Sequence, residues 1–333
     1  MSFVRKLLGR KDEEATPASQ EDTETRDHSI TGSDEPGAIE AHPEQVHQPS
    51  PNEAVQEEDE LTDPMAGAGG RPTPQTPGLQ VGYASDVGQL RDHNEDTLIA
   101  FQGAHLGDDA SDPFGFFVVA DGMGGHNAGE VASSLAARLL AHDVLRRVYL
   151  SFLLDEEPGG GMAPITEILR DAVQNANDQV HEQVPGGGTT LTCALILGQR
   201  AYIAHVGDSR AYLLTDLHLK QVTQDHSYVG RLMELGELSP EEAAVHPQRH
   251  VLYRAIGQGD NLDIDTYHQP LPPGSHLLLC SDGLSGLVSE EEIARIIAAS
   301  TTPQEACQRL IDAANAAGGP DNITAVLIAT PPN

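Results

Sequence analysis

The chain has 333 residues, enough for one large domain or two modest ones, with 51 Asp and Glu against 19 Lys and Arg and a formal charge of -32. That balance excludes a nucleic-acid binder, because phosphate backbones are held by clusters of Lys and Arg. No apolar run approaches the length of a membrane span or of a secretion signal; Cys193, Cys280 and Cys307, odd in number and far apart, read as reduced residues of a cytoplasmic protein.

Residues 1–78 hold 17 acidic and 6 basic side chains, few apolar ones and many Pro, Ser, Thr and Gln. Such a segment buries too little to offset its chain entropy and is expected to be disordered. Its start, Phe3 to Lys11, sets Phe3, Val4, Leu7 and Leu8 beside four basic residues. That suits a membrane surface or a partner groove, and equally a solvated chain start. Thr16, Ser50, Thr73 and Thr76 each precede a proline, as kinase sites and plain linkers both do.

From Leu79 the texture changes to a domain expected over 79–331. Apolar runs at strand spacing occur near 79–84, 97–101, 114–120, 189–197, 200–206, 210–215, 262–267, 275–280 and 322–329. Helical periodicity occupies 127–150, 163–183, 289–299 and 303–317. Strands and helices are grouped rather than alternating, which predicts an α+β domain with a largely antiparallel core and helices outside. Between Asp225 and Val251 a polar, helix-prone insertion has the features of a flap over a site.

Acids recur where apolar strands begin or end. Arg91-Asp-His-Asn-Glu-Asp96 precedes one strand, and Asp121-Gly122 ends Phe116–Ala120. Asp282-Gly283 follows His276–Cys280, and Asp321-Asn322 precedes Ile323–Ala329. A single Asp-Gly is ordinary turn chemistry. If these strands are neighbours, however, their ends gather Glu95, Asp121, Asp282 and Asp321. Carboxylates ~4 Å apart repel by roughly 4 kcal/mol at an effective dielectric near 20, so such a cluster needs a dication or a proton. Oxygen-only donors favour Mg²⁺ or Mn²⁺ over zinc, and two such ions sharing a carboxylate would activate a water toward a phosphate ester, with Arg91 as the phosphate clamp.

These segments resemble a metal-dependent protein phosphatase of the 2C type, bacterial branch, over nearly all of Leu79 to Ala329. The resemblance rests on Arg91…Asn94-Glu95-Asp96, Val119-Ala-Asp-Gly-Met-Gly-Gly-His126, Gly188-Thr-Thr-Leu191, His205-Val-Gly-Asp-Ser-Arg210, Thr223-Gln-Asp-His-Ser227, Cys280-Ser-Asp-Gly-Leu284 and Gly319-Pro-Asp-Asn-Ile-Thr324, in family order. It implies two antiparallel sheets packed as a sandwich with helices on both outer faces, and removal of phosphate from phosphoserine and phosphothreonine in proteins, opposing a partner Ser/Thr kinase.

By the same resemblance Asp121 bridges two metals and the Gly122 carbonyl is a further ligand. Glu95 serves the second metal, Asp282 and Asp321 the first, and Asp208 a weaker third. Arg91 binds phosphate, and Asp96 supports the metals' water shell. Mn²⁺ or Mg²⁺ is the implied cofactor, two or three per chain, and nothing demands more than a monomer. Met123 stands where animal members carry a histidine proposed as the leaving-group acid, so His126 is left as a candidate donor, or as a structural residue at a helix start. Gly286 stands where members often carry Asp or Asn near the metal shell. A lapsed phosphatase kept as a phosphoprotein-binding module is the alternative, and the intact set of acids argues against it. A switch acting on anti-sigma-factor antagonists ranks lower, for want of a sensor domain.

Overall fold

The computed structural model describes residues 78–103, 113–124, 127–153, 163–259 and 262–332; the segment expected to be disordered, up to residue 77, and His126 lie outside them. Among these residues no helix is long and apolar enough to cross a membrane.

The apolar alternation of the strands sorts them into two fully antiparallel sheets. One runs β1 (Gln80–Asp86), β11 (Ile323–Ala329), β10 (His276–Cys280), β7 (Arg210–Thr215), β8 (His218–Gln221). The other runs β2 (Asp96–Gly103), β3 (Phe114–Met123), β5 (Leu191–Leu197), β6 (Arg200–Val206), β9 (Asp265–Pro270), with the short β4 (Gly188–Thr189) pairing the end of β3. Phe117 and Val119 of β3 meet Leu277 and Leu279 of β10 and Val326 and Ile328 of β11, forming the core between the sheets. Their alternates, Phe116, Val118 and Ala120, turn outward against α1 (Ala128–Val144) and the helix behind it, while Leu278, Cys280, Ala325 and Leu327 turn outward on the other sheet. Period-2 burial on both faces thus makes a four-layer helix–sheet–sheet–helix sandwich. Each large side chain so buried contributes about 1.5–3 kcal/mol.

After α1 a π-helical turn (Leu145–Tyr149) leads into α2 (Leu150–Leu153), and the Tyr149 ring meets Phe101 edge-to-face and Phe114 at a tilt. The helix expected to run unbroken to 150 is therefore interrupted. The α3 helix (Ile165–Gln183) completes that outer layer, and α7 (Glu290–Ala298) with α8 (Pro303–Ala316) covers the opposite face.

Two strand expectations change. The run near 262–267 is placed three residues later as β9, because Leu262 and Ile264 pack into the helix-side core as loop residues and leave a polar edge strand to pair with β6. The polar β8, unforeseen, follows a two-residue turn in which Asp216 and Leu217 both take positive φ, the geometry of a type I′ hairpin without its usual Asn-Gly. In the insertion, α4 (Tyr228–Glu234) is followed by α5 (Pro240–Ala244), which begins at a capping box of Ser239 and Glu242.

Candidate active site

Two strand pairs deliver the acids to one end of the sandwich. In one sheet Asp96 opens β2 directly opposite Asp121 of β3, with Glu95 one residue ahead. In the other, β10 ends just before Ser281-Asp282, and its neighbour β11 begins just after Asp321-Asn322. Asp282 starts the one-turn helix α6 (Asp282–Ser285). Asp208 lies where the chain crosses from β6 in one sheet to β7 in the other.

Hydrogen bonds across the sheets bind these pairs together. Ser281 Oγ donates to Asp96 Oδ2 (2.8 Å), the Glu95 N–H donates to Asn322 Oδ1 (2.8 Å), and Arg91 Nη2 donates to Asp321 Oδ2 (2.7 Å). Asn322 Nδ2 reaches the Val87 and His93 carbonyls at 2.9 and 3.0 Å. Asp121 is fixed by its backbone: its N–H donates to Thr190 Oγ1 (2.9 Å), and its carbonyl accepts from the Thr190 N–H (2.8 Å) and Thr189 Oγ1 (2.9 Å). At Gly122 a Cβ would lie 2.3 Å from the Gly129 carbonyl oxygen and 2.6 Å from that of Glu95, so only glycine lets β3 end against the start of α1.

The electrostatics are those of crowded carboxylates. Burial pushes Asp121 well above the ordinary carboxylate range, and Asp96, Asp282, Asp208 and Asp321 push it further. Asp96 is raised to about 7, by burial first and then by Asp282 and Asp321, against the opposing hydrogen bonds of Thr324 and Ser281. Asp208 is likewise raised, by burial and then by Asp282 and Asp225. The hydrogen bond it donates to Asp321 raises the Arg91 guanidinium, against its partial burial.

The donor set fits a hard divalent cation. All the donors are oxygens, they repel one another, and the buried Asp96 Oδ1 has no hydrogen-bond partner among the described residues. As the side chains stand, no group of three or more His, Cys, Asp or Glu among the described residues is arranged to hold a metal ion. The fit is therefore one of donor identity and mutual repulsion, not of a closed ligand cage.

Beside these acids lies a cavity of about 500 Å³. Arg91, Asp208, Asp282 and Asp321 line one side, and Val229, Met233, Ala243, Arg249 and His250 from the insertion line the other. Residues of the insertion thus line the cavity that these acids share. Glu95, Asp96 and Asp121 are not among the lining residues, whereas Gly286 is. Arg249 and His250 were not foreseen: their only signal was basic residues in a polar loop, and His250 Nδ1 comes within 3.7 Å of Asp282 Oδ2.

Comparison with known proteins bears on this geometry. The family model for protein phosphatase 2C matches residues 101–316, which takes in Asp121, Gly122, Asp208 and Asp282 and leaves Arg91, Glu95, Asp96 and Asp321 on its flanks. The serine/threonine phosphatase stp of Listeria monocytogenes is 38% identical over 246 residues, 74% of this chain and 94% of the relative. The crystal structure of the Mycobacterium tuberculosis serine/threonine phosphatase PstP/Ppp superposes with a TM-score of 0.62 at 37% identity, over 76% of this chain and 99% of that one. A structure of the PstP catalytic domain in complex with two manganese ions gives 0.60 at 36% identity, over 75% and 97%. The family model spans well over half of the chain and the Listeria relative is 38% identical across most of it, so the chain belongs to the protein phosphatase 2C family.

Proposed function

We infer that this chain removes phosphate from phosphoserine and phosphothreonine in proteins, in a metal-dependent reaction carried by residues 79–331. The observation that carries this reading is the pairing of Asp96 with Asp121 in one sheet and the placing of Asp282 just past the end of β10 and Asp321 just before its neighbour β11 in the other, with Arg91 on Asp321 at the cavity. The named activities of the relatives support it.

Glu95, Asp121, the Gly122 carbonyl, Asp282 and Asp321 would hold two divalent ions, Mn²⁺ or Mg²⁺, and Asp208 a third. When bound, the ions activate the attacking water and offset the charge of the phosphate. The rest falls to the chain. Arg91, half exposed and lining the cavity, would bind and orient the phosphate with its planar fork. Asp96, hydrogen-bonded by Ser281, would accept hydrogen bonds from the metals' water shell. The flap wall excludes bulk solvent around the phosphorylated side chain. The serine or threonine oxygen leaves with the P–O electron pair as an alkoxide and needs a proton, and Met123 has none to give; His126 or a water would supply it.

The reading extends to an opposing Ser/Thr kinase, to action as a monomer and to the cytoplasm. The last is supported by the three cysteines, all buried and unpaired. The deciding experiment is turnover of p-nitrophenyl phosphate and a phosphothreonine peptide with Mn²⁺, with Mg²⁺ and with EDTA, for wild type, Asp121→Asn and Asp282→Asn. Metal-dependent turnover lost in both variants supports the reading. A folded wild type inert with every metal would return the chain to the role of a phosphoprotein-binding module.

A further inference from the structure

The segment Thr223-Gln-Asp-His-Ser227 plays no part in the chemistry above, yet it grips the loop that presents Asp208. Three of the four residues Gly207-Asp-Ser-Arg210 are held separately. Arg210 forks onto Asp225, Nε to Oδ1 at 2.9 Å and Nη2 to Oδ2 at 2.7 Å. The Ser209 carbonyl accepts from Thr192 Oγ1 (2.8 Å), and its hydroxyl lies 2.7 Å from Thr190 Oγ1, the oxygen that also takes the Asp121 N–H.

Gly207 is held by His226 at both of its peptide groups. The His226 N–H donates to the Gly207 carbonyl (2.7 Å), and the Gly207 N–H donates to His226 Nδ1 (3.1 Å). Gly207 takes φ +111°, and a Cβ there would lie 2.6 Å from the Thr190 Cβ, so no side chain competes for that place. At the other ring nitrogen, Nε2 lies 3.3 Å from Asp265 Oδ2 and 3.2 Å from Arg254 Nη1. Asp265 is in turn held by Arg254 Nη1 (3.2 Å) and the Tyr267 hydroxyl (3.1 Å). His226 is fully buried and is also where the two ends of the flap meet: its carbonyl accepts from the Tyr253 N–H (2.9 Å), and Ser227 pairs with Leu252. Of the four, Asp208 and Arg210 line the cavity, and Arg210 is turned onto Asp225.

We propose that His226 is a positioning residue: by holding Gly207 at its N–H and its carbonyl, it sets where Asp208 enters the cavity and ties that acid to the root of the flap. The proposal deepens the phosphatase reading and rests on it.

Two near-isosteres separate the ring's two contacts. In His226→Gln the side-chain amide still reaches toward Asp265 but offers Gly207 no acceptor at the Nδ1 place; in His226→Asn the Oδ1 stands near that place and the reach to Asp265 is lost. Full-length proteins are compared by p-nitrophenyl phosphate kinetics, by calorimetric titration with Mn²⁺ and by thermal unfolding. His226→Gln is expected to lower kcat about tenfold with little change in KM, to change the Mn²⁺ isotherm as Asp208→Asn does, and to add nothing to Asp208→Asn in the double variant. His226→Asn is expected to recover most of both losses. A folded His226→Gln protein with wild-type kcat and isotherm overturns the proposal. So does a His226→Asn variant worse than His226→Gln, which would put the role in the Asp265 contact, or additive losses in the double variant. If wild type shows no turnover, the phosphatase reading fails, and the Mn²⁺ isotherms alone decide whether His226 places Asp208.

Discussion

Asp96 pairs with Asp121 within its own sheet, but its carboxylate is held from the other sheet by Ser281, whose hydroxyl donates to Oδ2 at 2.8 Å and also accepts from the Thr324 N–H at 2.9 Å. One fully buried hydroxyl therefore closes the end of the sandwich at which the acids collect.

Ser281→Ala removes both bonds, leaving a buried N–H without its acceptor and taking one hydrogen bond from the buried Asp96 carboxylate. The expected loss is about 1–3 kcal/mol. In urea the midpoint should fall with the slope unchanged. A loss below about 0.5 kcal/mol, the size typical of an uninvolved surface site, would mean that water or a neighbour replaces the hydroxyl.

Arg210 and Asp225 make a two-pronged pair at the base of the site, and Arg210 also donates to the Tyr212 hydroxyl at 2.9 Å. Burial disfavours the Arg210 charge, but Asp225 outweighs it. Asp225→Asn leaves a largely buried guanidinium without its counter-charge, which costs about 3–5 kcal/mol. Arg210→Lys should recover little, since an ammonium cannot span both oxygens. Chemical denaturation of the two variants checks this, and near-wild-type stability of Arg210→Lys would show that charge alone suffices.

Much of this was legible in the chain. Phe116–Ala120 and Ile323–Ala329 announce buried strands, and acids set at their ends announce a site, because a carboxylate is costly there without a partner. What escaped was set by tertiary partners. The polar β8 exists because β7 offers it an edge, and Leu262 and Ile264 suggest a strand but fill a gap under helices. The role of His226 depends on Gly207, nineteen residues away, and no local pattern carries that contact.

His205 is fully buried, with Nε2 donating to the Gln224 carbonyl (2.9 Å) and Nδ1 at 2.9 Å from Thr192 Oγ1. Burial, and then His226, lowers its pKa to about 3. The unfolded chain takes up this proton near pH 6.5 and the folded chain does not, so the contribution to stability is whole above about 6.5 and falls as the pH drops toward 3. The loss is at most about 1.4 kcal/mol per pH unit. His205→Gln should flatten the acid limb of stability against pH. If both proteins share one slope between pH 6.5 and 4, His205 is not the group responsible.

The carboxylates impose the opposite trend when metal is withheld. Asp96 and Asp121 hold protons in the folded state above their ordinary range, so their contribution is present at low pH and is lost as the pH rises, for Asp96 through about 7. At pH 8 in EDTA the wild type should carry this repulsion unrelieved. Asp121→Asn removes the most crowded of the charges and keeps the backbone bonds to Thr189 and Thr190. It is therefore expected to melt higher than wild type in EDTA, by about 2–4 °C for each kcal/mol relieved, while turning over no substrate. Added Mn²⁺ should raise the melting temperature of wild type, because it binds the folded chain, and should move the variant much less. A metal-free variant that melts below wild type at pH 8 would mean that Asp121 stabilises the fold through a contact of its side chain and is not a charge held against repulsion for catalysis.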